Sequence, residues 1–333
     1  MHAVMKSLFE QGKPRYGRFA RAPASIDIKH FKYSTPFRKL VTGYKKQLSY
    51  KQFQFMSFNN DRYMIGLAIV DLGWVGHGFF YCYDLNTNKV FELSYLQPFA
   101  KDTHVCSHQI GTSYFKKGKF SIQIKKLMNS RHIVVQRGDH ILLDAMVDQT
   151  SVQPLAVCTP TGVSGWTFTH KQTTLAVKGR VYFNDQMVDL AEQGFMAAVD
   201  DTCGMLRTET AWHWLSLSGI NNHGERFGLN LATGVNETFS TENSLWQNGQ
   251  IDELPAVLFE QQDERHWRIF SANGDVDLQV TTTWRRHEAK NFIVVASQFS
   301  QWVSMVSGTI KLNNQCIDIA PQVALLEQHY AKW

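Results

Sequence analysis

From about residue 47 onward the chain is broken at short intervals by Asn- and Gly-bearing turns, and these limit its fold more than any other feature. Asn59-Asn60-Asp61, Asn86-Thr87-Asn88, Asn129-Ser130, Arg137-Gly138-Asp139, Asn184-Asp185, Asn248-Gly249, Asn273-Gly274 and Asn313-Asn314 each separate two runs rich in Val, Ile, Phe, Tyr, Trp and Thr. Tight hairpins need positive φ at one or both central residues, and Asn and Gly tolerate it. Parallel strands would need crossovers of roughly a dozen residues, usually helical, and the intervals cannot hold them. A doubly wound α/β fold is excluded. The expected class is all-β and antiparallel.

So many strands must hide their edges, and closure into barrels removes edges. One barrel of roughly eight to ten strands uses only about half of a chain this long, so two tandem barrels are expected from the 333 residues. An internal echo supports the pair. Phe53-Gln54-Phe55-Met56-Ser57, followed by Asn59-Asn60, Arg62-Tyr63 and Gly66-Leu67, has a counterpart in Trp212-His213-Trp214-Leu215-Ser216, followed by Asn221-Asn222, Arg226-Phe227 and Gly228-Leu229. The Asn-Asn turns lie 162 residues apart, and self-similarity at a fixed offset is the mark of tandem units. The Pro160-Thr161-Gly162 stretch supplies a boundary. The expected organisation is a basic segment over 1–46, a first barrel over 47–160 and a second over 161–333. Pro321 ahead of the Ala-, Leu-, Glu- and Gln-rich run Val323 to Lys332 predicts the only convincing helix, at the C-terminus.

The net charge of +5 hides an asymmetry. Residues 1–51 carry 12 Lys/Arg against Glu10 and Asp27, which leaves 22 cations against 27 acids in the rest. Such a leader suits a solvated wrap docked on the acidic body, or an anionic membrane surface. No nucleic-acid module signature occurs, so nucleic acid is not an expected partner. The longest apolar stretch, Met64 to Val70, is far short of the ~20 residues of a membrane helix, and no signal-peptide core follows the N-terminus. A soluble, cytoplasmic protein is expected. The five cysteines are widely spaced without a C-x-x-C, which suits buried free thiols. His104, Cys106 and His108 share a strand face but lack a fourth ligand, so no metal site is expected. No P-loop, nucleophile elbow or dinucleotide fingerprint occurs, and no cofactor is expected.

The densest polar constellation runs from Asp200 to Trp214. On an extended strand Arg207, Glu209 and His213 share one face, and Trp212, Trp214 and Ser216 share the other. With the Trp face inward, aromatic walls would suit an unsaturated apolar ligand or a developing cation. With the opposite face inward, Arg207, Glu209 and His213 would bind a polar head or move a proton. Asp200 and Asp201 point to opposite sides, so only one can reach a site. Thr241-Glu242-Asn243 is a polar island at a strand start, suited to a turn and also to supplying an acid.

With these residues in view, the chain resembles the bacterial domain of unknown function 2804 family. The resemblance rests on Asp71-Leu72-Gly73, Tyr83-Asp84, Thr159-Pro160, Thr169-His170-Lys171, Gly179-Arg180-Val181, Asp201-Thr202-Cys203-Gly204 and Trp212-His213-Trp214. It continues through Gly228-Leu229-Asn230-Leu231, Thr241-Glu242-Asn243, Gly274-Asp275-Val276-Asp277-Leu278 and Glu327-Gln328-His329-Tyr330-Ala331-Lys332-Trp333. It implies no activity. More remotely, the architecture resembles the tandem lipocalin-like (calycin) barrels of carotenoid hydratase and tocopherol cyclase relatives, which implies an acid and aromatic walls acting on an alkene. Two functions are therefore expected as alternatives. One is a binding or carrier module for an apolar, lipid- or isoprenoid-like molecule in a barrel cavity. The other is a cofactor-independent hydratase, cyclase or isomerase with Asp201 or Glu242 as the acid. Trp212, Trp214, Arg207, Glu209, His213, Lys171, Asn230 and Asn243 form the expected ligand-binding set.

Overall fold

The computed structural model describes residues 5–184, 186–236, 238–291 and 296–333. Strand accounts for 66% of it and helix for 3%, arranged as a nearly closed barrel and a half-barrel. The expected all-β, antiparallel arrangement in two tandem barrel units is what the chain forms. The contacts divide it into two units, Met1–Leu206 and Arg207–Trp333.

The N-terminal segment contributes β1 (Phe9–Glu10), β2 (Lys13–Pro14), β3 (Gly17–Arg18), a 3-10 turn at Ile28–His30 and α1 (Gly43–Ser49). A four-strand meander follows: β4 (Lys51–Asn59), β5 (Tyr63–Asp71), β6 (Val75–Asp84) and β7 (Lys89–Pro98). The unit continues with β8 (Thr103–His104), β9 (Gly111–Lys117), β10 (Phe120–Lys126), β11 (Ser130–Arg137) and β12 (His140–Asp148). It ends with β13 (Leu155–Thr161), β14 (Gly165–Phe183), β15 (Gln186–Asp189) and β16 (Met196–Met205).

The second unit opens with another meander, β17 (Glu209–Ile220), β18 (Arg226–Thr233), β19 (Ser244–Gln247) and β20 (Gln250–Glu253). It closes with β21 (Val257–Gln261), β22 (His266–Ser271), β23 (Val276–Asn291), β24 (Ala296–Leu312) and β25 (Gln315–Lys332). The eight Asn/Gly turns all join antiparallel neighbours; Asp185, in one of them, lies outside the described residues.

The two units share one topology. In each, the first meander strand pairs with the last strand of the unit: β4 with β16, and β17 with β25. The register refines the echo. Ser57 faces Gly66 across β4 and β5, and Ser218 faces Gly228 across β17 and β18. The structural counterpart of Ser57 is therefore Ser218, two residues beyond the Ser216 of the sequence match.

Two expectations are corrected. Residues 323–332 are strand, because β25 is paired along them with β17 on one side and β24 on the other. Ladders on both edges outweigh local helix propensity. Pro321 sits where the β24–β25 register shifts, a bulge that needs no N–H from it. The boundary also moves from 160 to Leu206/Arg207. Thr161 to Gly165 is a hairpin connection, and β14 then pairs with both β12 and β16 of the first sheet.

The basic segment belongs to the first unit. Leu8, Phe9, Ile26, Ile28 and Phe31 are buried against Ala156, Cys158, Trp166, Phe168, Cys203 and Met205. Phe9 meets Trp166 edge-on at 5.1 Å and stacks on Phe31 at 5.5 Å. Gly17 and Arg18 add to the edge of β13. Truncating a buried Phe costs about 3 kcal/mol or more. Phe9→Ala is accordingly expected to lower the urea midpoint of the protein, and an unchanged midpoint would show that the segment is not part of the folding unit.

Candidate functional site

In the second unit, β17 separates two unlike environments. Leu215 and Leu217 point into a core with Leu229, Leu231, Leu245, Trp267, Leu278, Val280, Trp302 and Leu326, all at most 7% exposed. That core draws on strands from both ends of the sheet, so it is the inside of the half-barrel, and its own side chains fill it. Trp212, Trp214 and Ser216 point the other way.

Cross-strand register arranges that other face into two rows. Trp214, Glu327, Gln301 and Arg286 are successive neighbours across β17, β25, β24 and β23. Trp212, His329, Phe299 and Glu288 form the adjacent row. The first row is buried, with Trp214, Glu327, Gln301 and Arg286 7%, 8%, 1% and 2% exposed, and the second is half-buried. The Trp212 indole N–H donates to Glu327 Oε1 at 2.8 Å, and the Gln301 amide donates to Oε2 at 2.9 Å. The His329 ring lies 4.2 Å from the Trp212 ring and its Nε2 is 2.9 Å from Ser297 Oγ. Arg286 pairs with Glu288 and places its guanidinium over Phe299, 5.2 Å from the ring centroid. A carboxylate flanked by indoles and an imidazole, in a layer largely withdrawn from water, is the most chemically equipped face of this unit.

The expected site residues fall into three groups. Trp212, Trp214, Asn230 and Glu242 come together. Trp214 Nε1 donates to Asn230 Oδ1 at 2.8 Å, and Asn230 Nδ2 donates to the Glu242 carbonyl at 3.0 Å. The Glu242 carboxyl, 4% exposed, accepts from Asn236 at 3.2 Å. Asn243 ties the adjoining loop, accepting from the Ala232 N–H at 2.7 Å and donating to the Pro255 carbonyl at 2.9 Å. The Arg207, Glu209 and His213 set does not assemble. Arg207 and Glu209 are exposed, with Glu209 3.4 Å from Lys332, while His213 stacks on Phe259 at the apolar side and burial lowers its pKa. Glu327, Gln301, His329, Arg286 and Phe299 were not expected as site residues. The i, i+2 spacing of Glu327 and His329, which puts both on one face of a strand, was the available signal, hidden by the helical composition of the same run.

The first unit holds Asp201 and Lys171 on opposite faces of its sheet. Asp200 bonds to Lys171 at 2.9 Å and accepts from Thr202 at 3.0 Å. Asp201 instead faces the barrel interior, where Arg131 grips both its oxygens at 2.8 Å. Gln54 donates to the same carboxylate at 2.8 Å and the Lys126 ammonium lies at 3.8 Å. Arg131 is 2% exposed and passes its remaining Nε–H to Gln149 at 3.0 Å. Burial alone would raise the Asp201 pKa, but Arg131 and Lys126 hold it well below the carboxylate range. This corrects the expectation for Asp201: it is ionised at neutral pH and has no proton to donate. Among the described residues, no group of three or more His, Cys, Asp or Glu side chains is placed to hold a metal ion.

The sequence matches the family described as domain of unknown function (DUF2804) over residues 8–333, and the chain belongs to that family. No curated protein matches it. Among solved structures, CghA aligns with a TM-score of 0.53 and 10% identity, covering 99% of this chain and 95% of that one. Kievitone hydratase from Nectria haematococca aligns with a TM-score of 0.48 and 11% identity, covering 84% and 88%. The likeness to CghA extends over both units and concerns the fold alone. No helix among the described residues is long and apolar enough to cross a membrane.

The ion cluster makes a pH prediction. His170, paired with Asp201 across β14 and β16, has its pKa lowered from 6.5 to about 4 by burial and then by Arg131. Between these values the folded chain binds fewer protons at this ring than the unfolded chain, so stability falls as pH drops through that window. The slope there is on the order of 1 kcal/mol per pH unit. Asp201 acts lower: its contribution is complete above its ordinary value of 3.8 and is lost only as pH falls below it. Urea unfolding across the window should show the slope in the wild type and a flatter one in His170→Gln; equal slopes would remove His170 from the account. Asp201→Asn should cost about 3–5 kcal/mol at neutral pH, because it leaves Arg131 buried without its counter-charge.

Proposed function

We propose that the chain binds a small organic molecule with an unsaturated or aromatic body and at least one polar group, on the Trp212, Trp214 and Glu327 face of the second unit. The observation that carries this reading is the pair of cross-strand rows that set a buried carboxylate among two indoles and an imidazole. Indole faces attract flat π-systems and any cationic character in them, and a few convergent polar groups fix orientation. The position differs from the barrel cavity expected from sequence. The interior of the second unit is filled by its own aliphatic and aromatic side chains, and that of the first carries the Asp201 ion cluster.

A second reading is favoured by one further observation. Glu327 and His329 lie two residues apart on the same strand face, so one could deliver a proton and the other remove it. Hydration, cyclisation or isomerisation of an unsaturated molecule needs that pair and no cofactor. Glu242, whose backbone carbonyl is tied to Trp214 through Asn230 and whose buried carboxyl accepts from Asn236, is the alternative acid.

Native mass spectrometry of protein purified from its own host, with identification of any extracted molecule, tests the binding reading. Trp212→Ala and Trp214→Ala, checked by melting to be folded, are expected to lose the bound molecule at least ~10-fold, a loss of about 1.4 kcal/mol, while His213→Ala on the opposite face retains it. Retention by the Trp variants would refute the site. If the molecule is turned over, Glu327→Gln and His329→Phe should abolish turnover and spare binding, whereas unchanged turnover in both would leave only the binding role.

A further inference from the structure

The basic segment does more than pack. Residues 28–60 contain no Asp or Glu and carry seven Lys/Arg. Within this stretch the chain folds back on itself. The Val41 N–H donates to the Tyr33 carbonyl at 2.9 Å, Thr35 N–H to the Lys39 carbonyl at 2.8 Å, and Arg38 N–H to the Thr35 carbonyl at 2.9 Å. Arg38 takes a φ of 61°, which completes the turn and leaves Phe37 at its apex, 94% exposed. Leu40 is 59% exposed, and Tyr44, at the start of α1, is 68% exposed. The β13–β14 turn lies alongside, since the Ser164 hydroxyl donates to the Ser34 carbonyl, and its Val163 is 79% exposed. Arg38, Lys39 and Lys45 are exposed among these apolar tips.

Single exposed apolar residues are ordinary, but a local group of them ringed by cations is not. α1 buries none of its residues, so this surface contributes nothing to the core. We propose that the Phe37 hairpin, with Leu40, Tyr44 and Val163, is a docking surface for an anionic lipid bilayer. The aromatic and aliphatic tips would enter the acyl boundary while Arg38, Lys39 and Lys45 meet lipid phosphates. The chemistry selects this partner over others. Nucleic acid would use the cations and could stack on Phe37 and Tyr44, but has no use for Leu40 and Val163. A second copy of the chain would bring two like-charged patches together. The surface is also held in place, because Ile28 and Phe31 just before the hairpin are buried in the core of the first unit and Lys46 donates to the Phe31 carbonyl.

That anchoring dictates the experiment. Removing the segment would strip Phe9, Ile28 and Phe31 from the core, so point variants at exposed positions are required. The full chain is sedimented with vesicles of phosphatidylcholine alone and of phosphatidylcholine with an equal part of phosphatidylglycerol. Binding is expected to the anionic vesicles only, to weaken as salt rises, and to fall at least ~10-fold in the double variant Phe37→Asp and Leu40→Asp. Thermal unfolding should be unchanged in that variant, since both side chains stand in solvent. Full vesicle binding by the double variant overturns the proposal. So does equal binding to neutral vesicles, no binding to either, or a tighter affinity for a duplex DNA of matched charge.

Discussion

Pairing of the first strand of each unit with its last is the constraint on which the rest depends. An antiparallel meander has two edges, and every unpaired N–H and C=O left on an edge is a liability. Here β16 covers β4 and β25 covers β17. The same ladders bring chemistry together from distant parts of the sequence. In the first unit they set Gln54 beside Asp201, and in the second Trp214 beside Glu327 and Trp212 beside His329. The shared topology of both units makes the hairpin echo a feature of the whole chain rather than of two isolated turns.

The two units apply buried charge differently. In the first, Asp201 and Arg131 reach across the barrel and satisfy each other almost completely. A bidentate pair of this kind is costly to break from one side, and its carboxylate is held ionised, which suits a structural strut. In the second, Glu327 accepts from the Trp212 indole and the Gln301 amide and sits against aromatic surface. The contrast moves the candidate acid from Asp201 to Glu327 and Glu242.

Much of the fold was legible because turn chemistry is local. Asn248-Gly249 and Asn313-Asn314 adopt positive φ as hairpins of this kind require, and the period-two runs between such turns left little choice but antiparallel sheet. The basic leader was visible as charge, and its docking on the first unit follows from interspersed Phe and Ile. What failed was non-local. Val323 to Lys332 has helical composition, and only the presence of β17 and β24 on its two sides makes it a strand. Glu327 and His329 come beside Trp214 and Trp212 only when that run is a strand. The boundary at 160 failed for the same reason: a Pro- and Gly-bearing hairpin looks like a linker until its strands are paired. Trp212 and Trp214 stand out in sequence because they fall in one dense aromatic and polar stretch, and Glu242 because it sits in a short polar island; Arg131, one of several polar residues in β11, carries no such local signal.

The layer built by β17, β25 and β24 is the proposed binding place of the small molecule. A crystal structure of the chain with the molecule that accompanies it from its native host tests this most directly. Density is expected for a flat or unsaturated group against the Trp212 and Trp214 rings, with a polar atom within hydrogen-bond distance of Glu327 or His329. Density confined to the interior of either barrel, with the Trp212 and Trp214 rings untouched, would contradict it.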